Sequence, residues 1–334
     1  MTRGMKRLFS AVLSLVLLLA LGPVQGAASE PEKKSVFGFY LDTVIQLTAY
    51  IEDDEPLRDA LDECERYEQL LSRTVEGSDV WRINHADGSP VTVSEDTLQI
   101  LETARQISEL SNGAFDVSIA PVSTLWDFTS GEVVLPDADT LENAAALVDY
   151  TKIQIEGDTV TLPQGMMIDL GGIAKGYIAD AVKDYLVERG VESAILSFGG
   201  SNIATIGLKP DGSPWRIGIQ DIDLPTGAYM LVSQNFGGST VTSGIYERGF
   251  DLDGVYYHHL LDSETGWPVQ NELASVTIFS ESSMLGDALS TTAFVLGTEA
   301  GTELIESLDG VEALFIARDR SVTCTSGAGQ YLPE

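Results

Sequence analysis

Two oxygen donors set four residues apart are the first feature with chemical potential. In Gly286-Asp287-Ala288-Leu289-Ser290-Thr291, a helix would place Asp287 and Thr291 on one face, a carboxylate beside a hydroxyl. Hard cations such as Mg²⁺ take oxygen ligands, usually one or two carboxylates completed by phosphate and water. A helix cap at Asp287 with a packed Thr291 produces the same string, and the spacing alone leaves both readings open.

A second stretch suits phosphate. Asp169-Leu170-Gly171-Gly172-Ile173-Ala174-Lys175-Gly176 ends a strand in paired glycines and starts a helix, whose free N–H groups and dipole favour an anion. Lys175 adds a charge on the first turn. The string matches neither GxGxxG nor a Walker loop, and a plain strand–helix turn accounts for it equally well. A weaker glycine turn, 197–202, follows an apolar segment and suits the rim of the same cleft.

The chain has His85, His258 and His259 as its three histidines. Strand alternation sends the adjacent pair to opposite faces, so one of them at most faces a given cleft. His259 and Asp262 bracket the turn before Thr265-Gly266, where a base and a carboxylate can act together. Gly113-Ala114-Phe115-Asp116, followed by Trp126-Asp127-Phe128, offers aromatics that can bound a flat ring, although core packing is their usual role.

The elements that must position these groups read as α+β, with mainly antiparallel sheet packed against helices. Residues 36–50 alternate as a strand, and Asp53 to Pro56 start a helix carrying Leu57, Leu61, Cys64, Tyr67 and Leu71. Ser94 caps a second helix that Gly113 stops. Helices are also expected at 139–148, 172–189, 287–296 and 302–308, and a hairpin at 152–162 about Gly157-Asp158. Strands are expected at 194–197, 215–220, 229–233, 255–261, 274–279, 313–317 and 321–325.

The chain has 334 residues and a hydrophobic fraction of 44%, enough for a substantial core. Arg3, Lys6 and Arg7 precede an apolar run, Leu8 to Leu21, and then Pro23 and the small residues Gly26, Ala27 and Ala28. That is the anatomy of a secretory leader over residues 1–28, with the run short of the roughly 20 residues of a spanning helix. A mature domain over 29–334, exported to the outer face of the cytoplasmic membrane, is expected; retention of the leader as an anchor stays open. The net charge of −32 argues against nucleic acid and anionic lipid as partners. Cys64 and Cys324 show no metal-ligand spacing and receive no chemistry.

Taken in order, the motifs resemble the ApbE family of FAD:protein FMN transferases. The matching segments are Leu41-Asp42-Thr43, Leu71-Ser72, Ser78 to Asn84, Gly113 to Asp116, Asp169 to Gly176, Ser197 to Gly200, Val241-Thr242-Ser243-Gly244, His259 to Asp262 and Asp287 to Thr291. The resemblance implies a T-fold-related α+β architecture and a Mg²⁺ held by the Asp287 and Thr291 side chains, with the Gly172 carbonyl nearby. It also implies FAD contacts at Ala114, Phe115, Asp116, Asp169 and Lys175, with Leu41, Thr74 and Leu261 where relatives touch the flavin nucleotide. His259 falls on the family's reactive-centre histidine. Three departures stand out: Thr74 replaces a frequent aromatic, Gly172 a frequent alanine, and no cysteine for lipid attachment follows the leader.

On that resemblance, a serine or threonine hydroxyl of an acceptor protein, a membrane or exported redox subunit, attacks the FMN-side phosphorus of FAD and expels AMP. Mg²⁺ and Lys175 offset the pyrophosphate charge, and His259 or a nearby carboxylate such as Asp262 takes the proton. The same site with water as nucleophile makes an FAD pyrophosphatase. A non-enzymatic flavin carrier would lack the base or the metal ligands, which are present here. The sequence assigns no oligomeric state.

Overall fold

A computed structural model describes residues 32–333 apart from 129, 131, 132 and 226. The expected leader lies outside the described residues. Contacts divide the chain after Glu32, and the following concerns the unit Lys33–Glu334.

The first strand expectation divides in two: β1 (Glu32–Tyr40) and β2 (Thr43–Ile51) flank a turn in which Leu41 and Asp42 have φ of 56° and 55°. Both central residues are left-handed, as a tight hairpin requires, and the alternation continues on either side, so periodicity alone runs through the turn. Then come α1 (Glu55–Leu71), α2 (Asp79–Asn84), β3 (Val91–Thr92), α3 (Glu95–Leu110), α4 (Ala120–Ser123) and α5 (Ala138–Ala145). Leu57, Leu61, Cys64, Tyr67 and Leu71 are the buried stripe of α1, and the Ser94 hydroxyl caps α3 by accepting from Thr97 N–H.

The hairpin β4 (Gln154–Glu156) and β5 (Thr159–Thr161) precedes α6 (Ala174–Glu188), after which Gly190, at φ 79°, ends the helical path. Next are β6 (Ala194–Phe198), β7 (Asn202–Ile206), β8 (Trp215–Gln220), β9 (Tyr229–Asn235), β10 (Ser239–Gly244), β11 (Gly249–Leu252) and β12 (Val255–His258). The chain finishes with β13 (Leu273–Ser280), α7 (Ser283–Glu306), β14 (Glu312–Ala317) and β15 (Val322–Cys324). The two helices expected at 287–296 and 302–308 are one element, broken at Gly297 with φ 80° and ψ 178°.

Eight strands form one sheet in the order β1-β2-β6-β7-β10-β13-β14-β15, antiparallel at each pairing from β2 onward. Alternation along β13 and β14 sorts the two faces. Val276, Ile278, Ala313 and Phe315 join the main core with α1, α3, α6 and α7, whereas Phe279, Leu314 and Ile316 pack under the β8–β9 hairpin and Tyr331. Each fully buried large side chain contributes roughly 1.5–3 kcal/mol. A smaller cluster of Val122, Trp126, Leu141, Phe128, Phe250, Tyr257 and Trp267 stands to the side and forms an aromatic shoulder. Cys64 is buried and Cys324 exposed, and both are free.

Candidate active site

The site begins where α6 crosses α7. A Cβ on Gly176 would lie 2.2 Å from the Ser283 carbonyl oxygen, so only glycine permits this approach. The closeness brings Asp287 Oδ2 to 2.9 Å from Gly176 N–H. Asp287 therefore sits in the second turn of α7, not at its leading end; Ser282 is the cap there. With only 5% of its surface exposed, its carboxyl is pushed above the usual range by burial, against the opposing pull of Lys175.

Thr291 lies one turn further along α7, and Gly172 meets it from the other side. A Cβ on Gly172 would be 3.9 Å from Thr291 Oγ1 and 3.2 Å from the Phe115 ring. Gly176 N–H donates to Asp287 Oδ2, and the Asp287 side chain lines the same cleft as Thr291 and the Gly171-Gly172 turn. Among the described residues no three His, Cys, Asp or Glu side chains gather as a metal cluster. One carboxylate with neutral oxygens suits a hard cation that completes its shell with phosphate and water, and the donor set fits Mg²⁺ on that ground.

These groups line a cleft of about 340 Å³. Arg73, Lys175 and Arg248 bring cations to it, and Phe115, Trp126 and Phe128 bring aromatic surface. Trp126 and Phe128 stack with centroids 5.4 Å apart and planes 7° from parallel, extending the aromatic shoulder into the cleft. A larger open groove of about 780 Å³ lies elsewhere, bordered by Asp180, Asp184, Glu188, Glu281 and Asp309 with no Lys or Arg, a lining that repels a pyrophosphate. Size therefore does not pick the site; charge does.

The histidines separate as alternation requires. His258 is fully buried, with its Nε2 on the Val269 carbonyl at 3.0 Å. His259 follows the end of β12 and lines the cleft, its Nδ1 3.3 Å from the Arg248 carbonyl oxygen. A carbonyl only accepts, so Nδ1 carries the proton and Nε2 keeps a lone pair. The ring is partly open to the cleft yet crowded by protein; that desolvation, reinforced by the charges of Lys175 and Arg248, pushes the His259 pKa down to about 3 and leaves the ring neutral at ordinary pH.

Ala114, Phe115, Asp116, Asp169, Gly172, Lys175, His259, Leu261, Asp287 and Thr291 all reach the cleft. Asp116 directs both oxygens to the protein: Oδ1 accepts from Ser118 and Oδ2 from Tyr150 N–H at 2.9 Å, which holds the Phe115 turn. Asp169 pins Gly171 N–H at 2.9 Å and pairs with Arg73 at 3.2 Å.

Three expected residues stay outside the lining. Asp262 accepts from Glu264 and Thr265 N–H at 2.8 and 2.9 Å, so its carboxylate serves the turn and is not turned to the cleft as a base. Leu41 and Thr74 are also absent from the wall, where their neighbours Asp42 and Arg73 stand instead.

Arg73, Glu247 and Arg248 carried no signal on their own, since single charges without periodic spacing read as solvated surface. Glu247 is open to the cleft yet crowded by protein; that desolvation pushes its carboxyl up, with Lys175 opposing.

The model of the ApbE family matches residues 41–315. The chain belongs to the ApbE family. An FAD:protein FMN transferase of Klebsiella pneumoniae is 37% identical over 286 residues, covering 84% of this chain and 88% of that protein. One from Treponema pallidum is 36% identical over 280 residues, 79% of this chain and 77% of its own. The fold agrees with ApbE crystal structures: the Thermotoga maritima ApbE protein has a TM-score of 0.83 at 29% identity, covering 91% of this chain and all (100%) of that one. The flavin transferase ApbE from Vibrio cholerae has 0.81 at 28%, covering 90% and 100%.

Proposed function

We propose that this protein is an FAD:protein FMN transferase that works with Mg²⁺ and modifies a serine or threonine hydroxyl of an exported or membrane redox protein. The observation that carries the reading is the convergence of an unprotonated His259 Nε2, three cations and the Asp287–Thr291 oxygen pair on one cleft. ApbE membership supplies the flavin substrate and the protein acceptor.

The chain's groups divide the work. Lys175, Arg73 and Arg248 bind the pyrophosphate, and the aromatic shoulder receives a flat ring. Asp287, Thr291 and the Gly172 carbonyl would hold Mg²⁺, which when bound supplies charge compensation for the phosphates. The acceptor hydroxyl gives its proton to His259 Nε2 as its oxygen bonds to the FMN-side phosphorus. The phosphoanhydride P–O bond breaks and AMP leaves with the electron pair. Pyrophosphate beside Lys175 and Arg248 offsets the two charges that help to depress the His259 pKa, so the ring is a stronger base with FAD present.

Incubating the protein with FAD, Mg²⁺ and an acceptor domain, then weighing the acceptor, tests the reading. A mass gain of one FMN less water, with AMP released, is expected. Free FMN and an unmodified acceptor would place the activity with water instead.

Export is part of the same proposal and rests on the sequence of residues 1–28. No helix among the described residues is long and apolar enough to cross a membrane. N-terminal sequencing of protein recovered from outside the cytoplasm should begin near residue 29; an intact Met1 in the cytoplasm would contradict it.

A further inference from the structure

A threonine inside a helix ordinarily donates its hydroxyl proton to the carbonyl four residues back. Thr292 does so, to the Ala288 carbonyl at 2.7 Å. Thr291 does not: its Oγ1 meets Ser243 Oγ on β10, at 3.2 Å. The carbonyl that Thr291 would otherwise take, that of Asp287, already accepts from Ser290 Oγ at 2.9 Å.

Each hydroxyl has a single proton, so the direction of the chain follows from where the Ser290 proton lies. The Asp287 carbonyl can only accept, so we assign it the Ser290 proton, and Ser290 then accepts from Ser243 across their 2.8 Å contact. Ser243, its own proton spent, accepts from Thr291. The relay runs from Thr291 through Ser243 to the buried Ser290, and it leaves the Thr291 Oγ1 lone pairs free for the cleft, where a Cβ on Gly172 would lie 3.9 Å away. Ser290 is fully buried and Ser243 is 9% exposed, so water cannot readily replace either partner.

We propose that Ser243 is a positioning residue for the divalent-cation site: it takes the Thr291 proton and so turns that hydroxyl's lone pairs to the cation. The proposal rests on the reading of Asp287 and Thr291 as cation ligands. Partners that orient metal ligands in this way commonly change affinity by about 10–100-fold when removed.

The test is calorimetric titration of Mg²⁺ into the full chain with saturating FAD and no acceptor, beside FAD affinity measured without metal and thermal melting. Ser243→Ala should raise the Mg²⁺ Kd about 10-fold with FAD affinity unchanged, and Ser243→Thr, which keeps a hydroxyl, should restore most of it. Ser290→Ala, which frees the Asp287 carbonyl for the Thr291 proton, should weaken Mg²⁺ in the same direction. In a Thr291→Ala background, Ser243→Ala should cost nothing further. An equal loss in that background, or an unchanged Kd, would overturn the relay even if the wild type binds Mg²⁺ and transfers FMN. A wild type that binds no Mg²⁺ at all would defeat the cation reading and the relay together.

Discussion

Asp180 and Asp287 each cap the helix that carries the other. From α6, Asp180 accepts from Ser283 N–H at 2.8 Å and Met284 N–H at 3.0 Å at the start of α7, while Asp287 of α7 accepts from Gly176 N–H at 2.9 Å in the first turn of α6. Each carboxylate lies at the positive end of the opposite dipole, which holds a negative group without a full counter-charge. The helices cannot slide without losing both caps, and so the distance from the Lys175 turn to the Asp287–Thr291 pair is fixed by the crossing.

That crossing should not tolerate a methyl group. Gly176→Ala puts Cβ 2.2 Å from the Ser283 carbonyl oxygen, a backbone atom that cannot rotate away. The helices must part, at a cost of roughly 1–3 kcal/mol before any loss of the caps. A lower denaturant midpoint together with weaker Mg²⁺ binding is expected; unchanged stability would mean that the helices approach less closely.

Asp287→Asn should trade activity for stability. Burial disfavours the Asp287 carboxylate, and the amide oxygen still accepts from Gly176, so in EDTA the variant should melt no lower than wild type. Mg²⁺ should raise the melting temperature of the wild type and leave that of the variant unmoved, with transfer lost. Full activity of the variant would remove the carboxylate from the mechanism.

Much of this site was legible because chemistry and element boundaries coincide. Asp287 and Thr291 share a face in any helix, the Gly171-Gly172 pair marks a strand–helix junction, and alternation alone separates His258 from His259. What sequence could not reveal depends on distant backbone. The Asp262 carboxylate goes to two N–H groups of its own turn, Gly176 is required by Ser283 more than a hundred residues away in sequence, and Arg73 joins the cleft through Asp169. The β7, β10 and β11 strands also escaped: at 5, 6 and 4 residues they are too short to establish a period, and β10 is mostly Ser and Thr.

The two histidines should differ in what their loss does. His259→Gln removes the lone pair that Nε2 offers to the cleft and should slow transfer by about 10²–10⁴-fold with FAD affinity kept. His258→Gln retains a donor for the Val269 carbonyl and should leave the rate within a few-fold. Equal effects on the rate, or a reversed order, would take the base away from His259.

His258 should also make stability depend on pH. Burial pushes its pKa down to about 4 in the folded chain, against the ordinary value of 6.5. The unfolded chain therefore binds the proton first on acidification, so the contribution is fully present above about pH 6.5 and is lost as pH falls toward 4. A shift of that size corresponds to roughly 3 kcal/mol at its limit. Asp116, Asp180 and Asp287, whose carboxyls burial raises, act in the opposite sense, because the folded chain binds their protons first. Comparison of variants separates the two: His258→Gln should flatten the fall in unfolding free energy between pH 6.5 and 4 relative to wild type. Parallel curves for the two proteins would show that His258 is not held neutral by the fold.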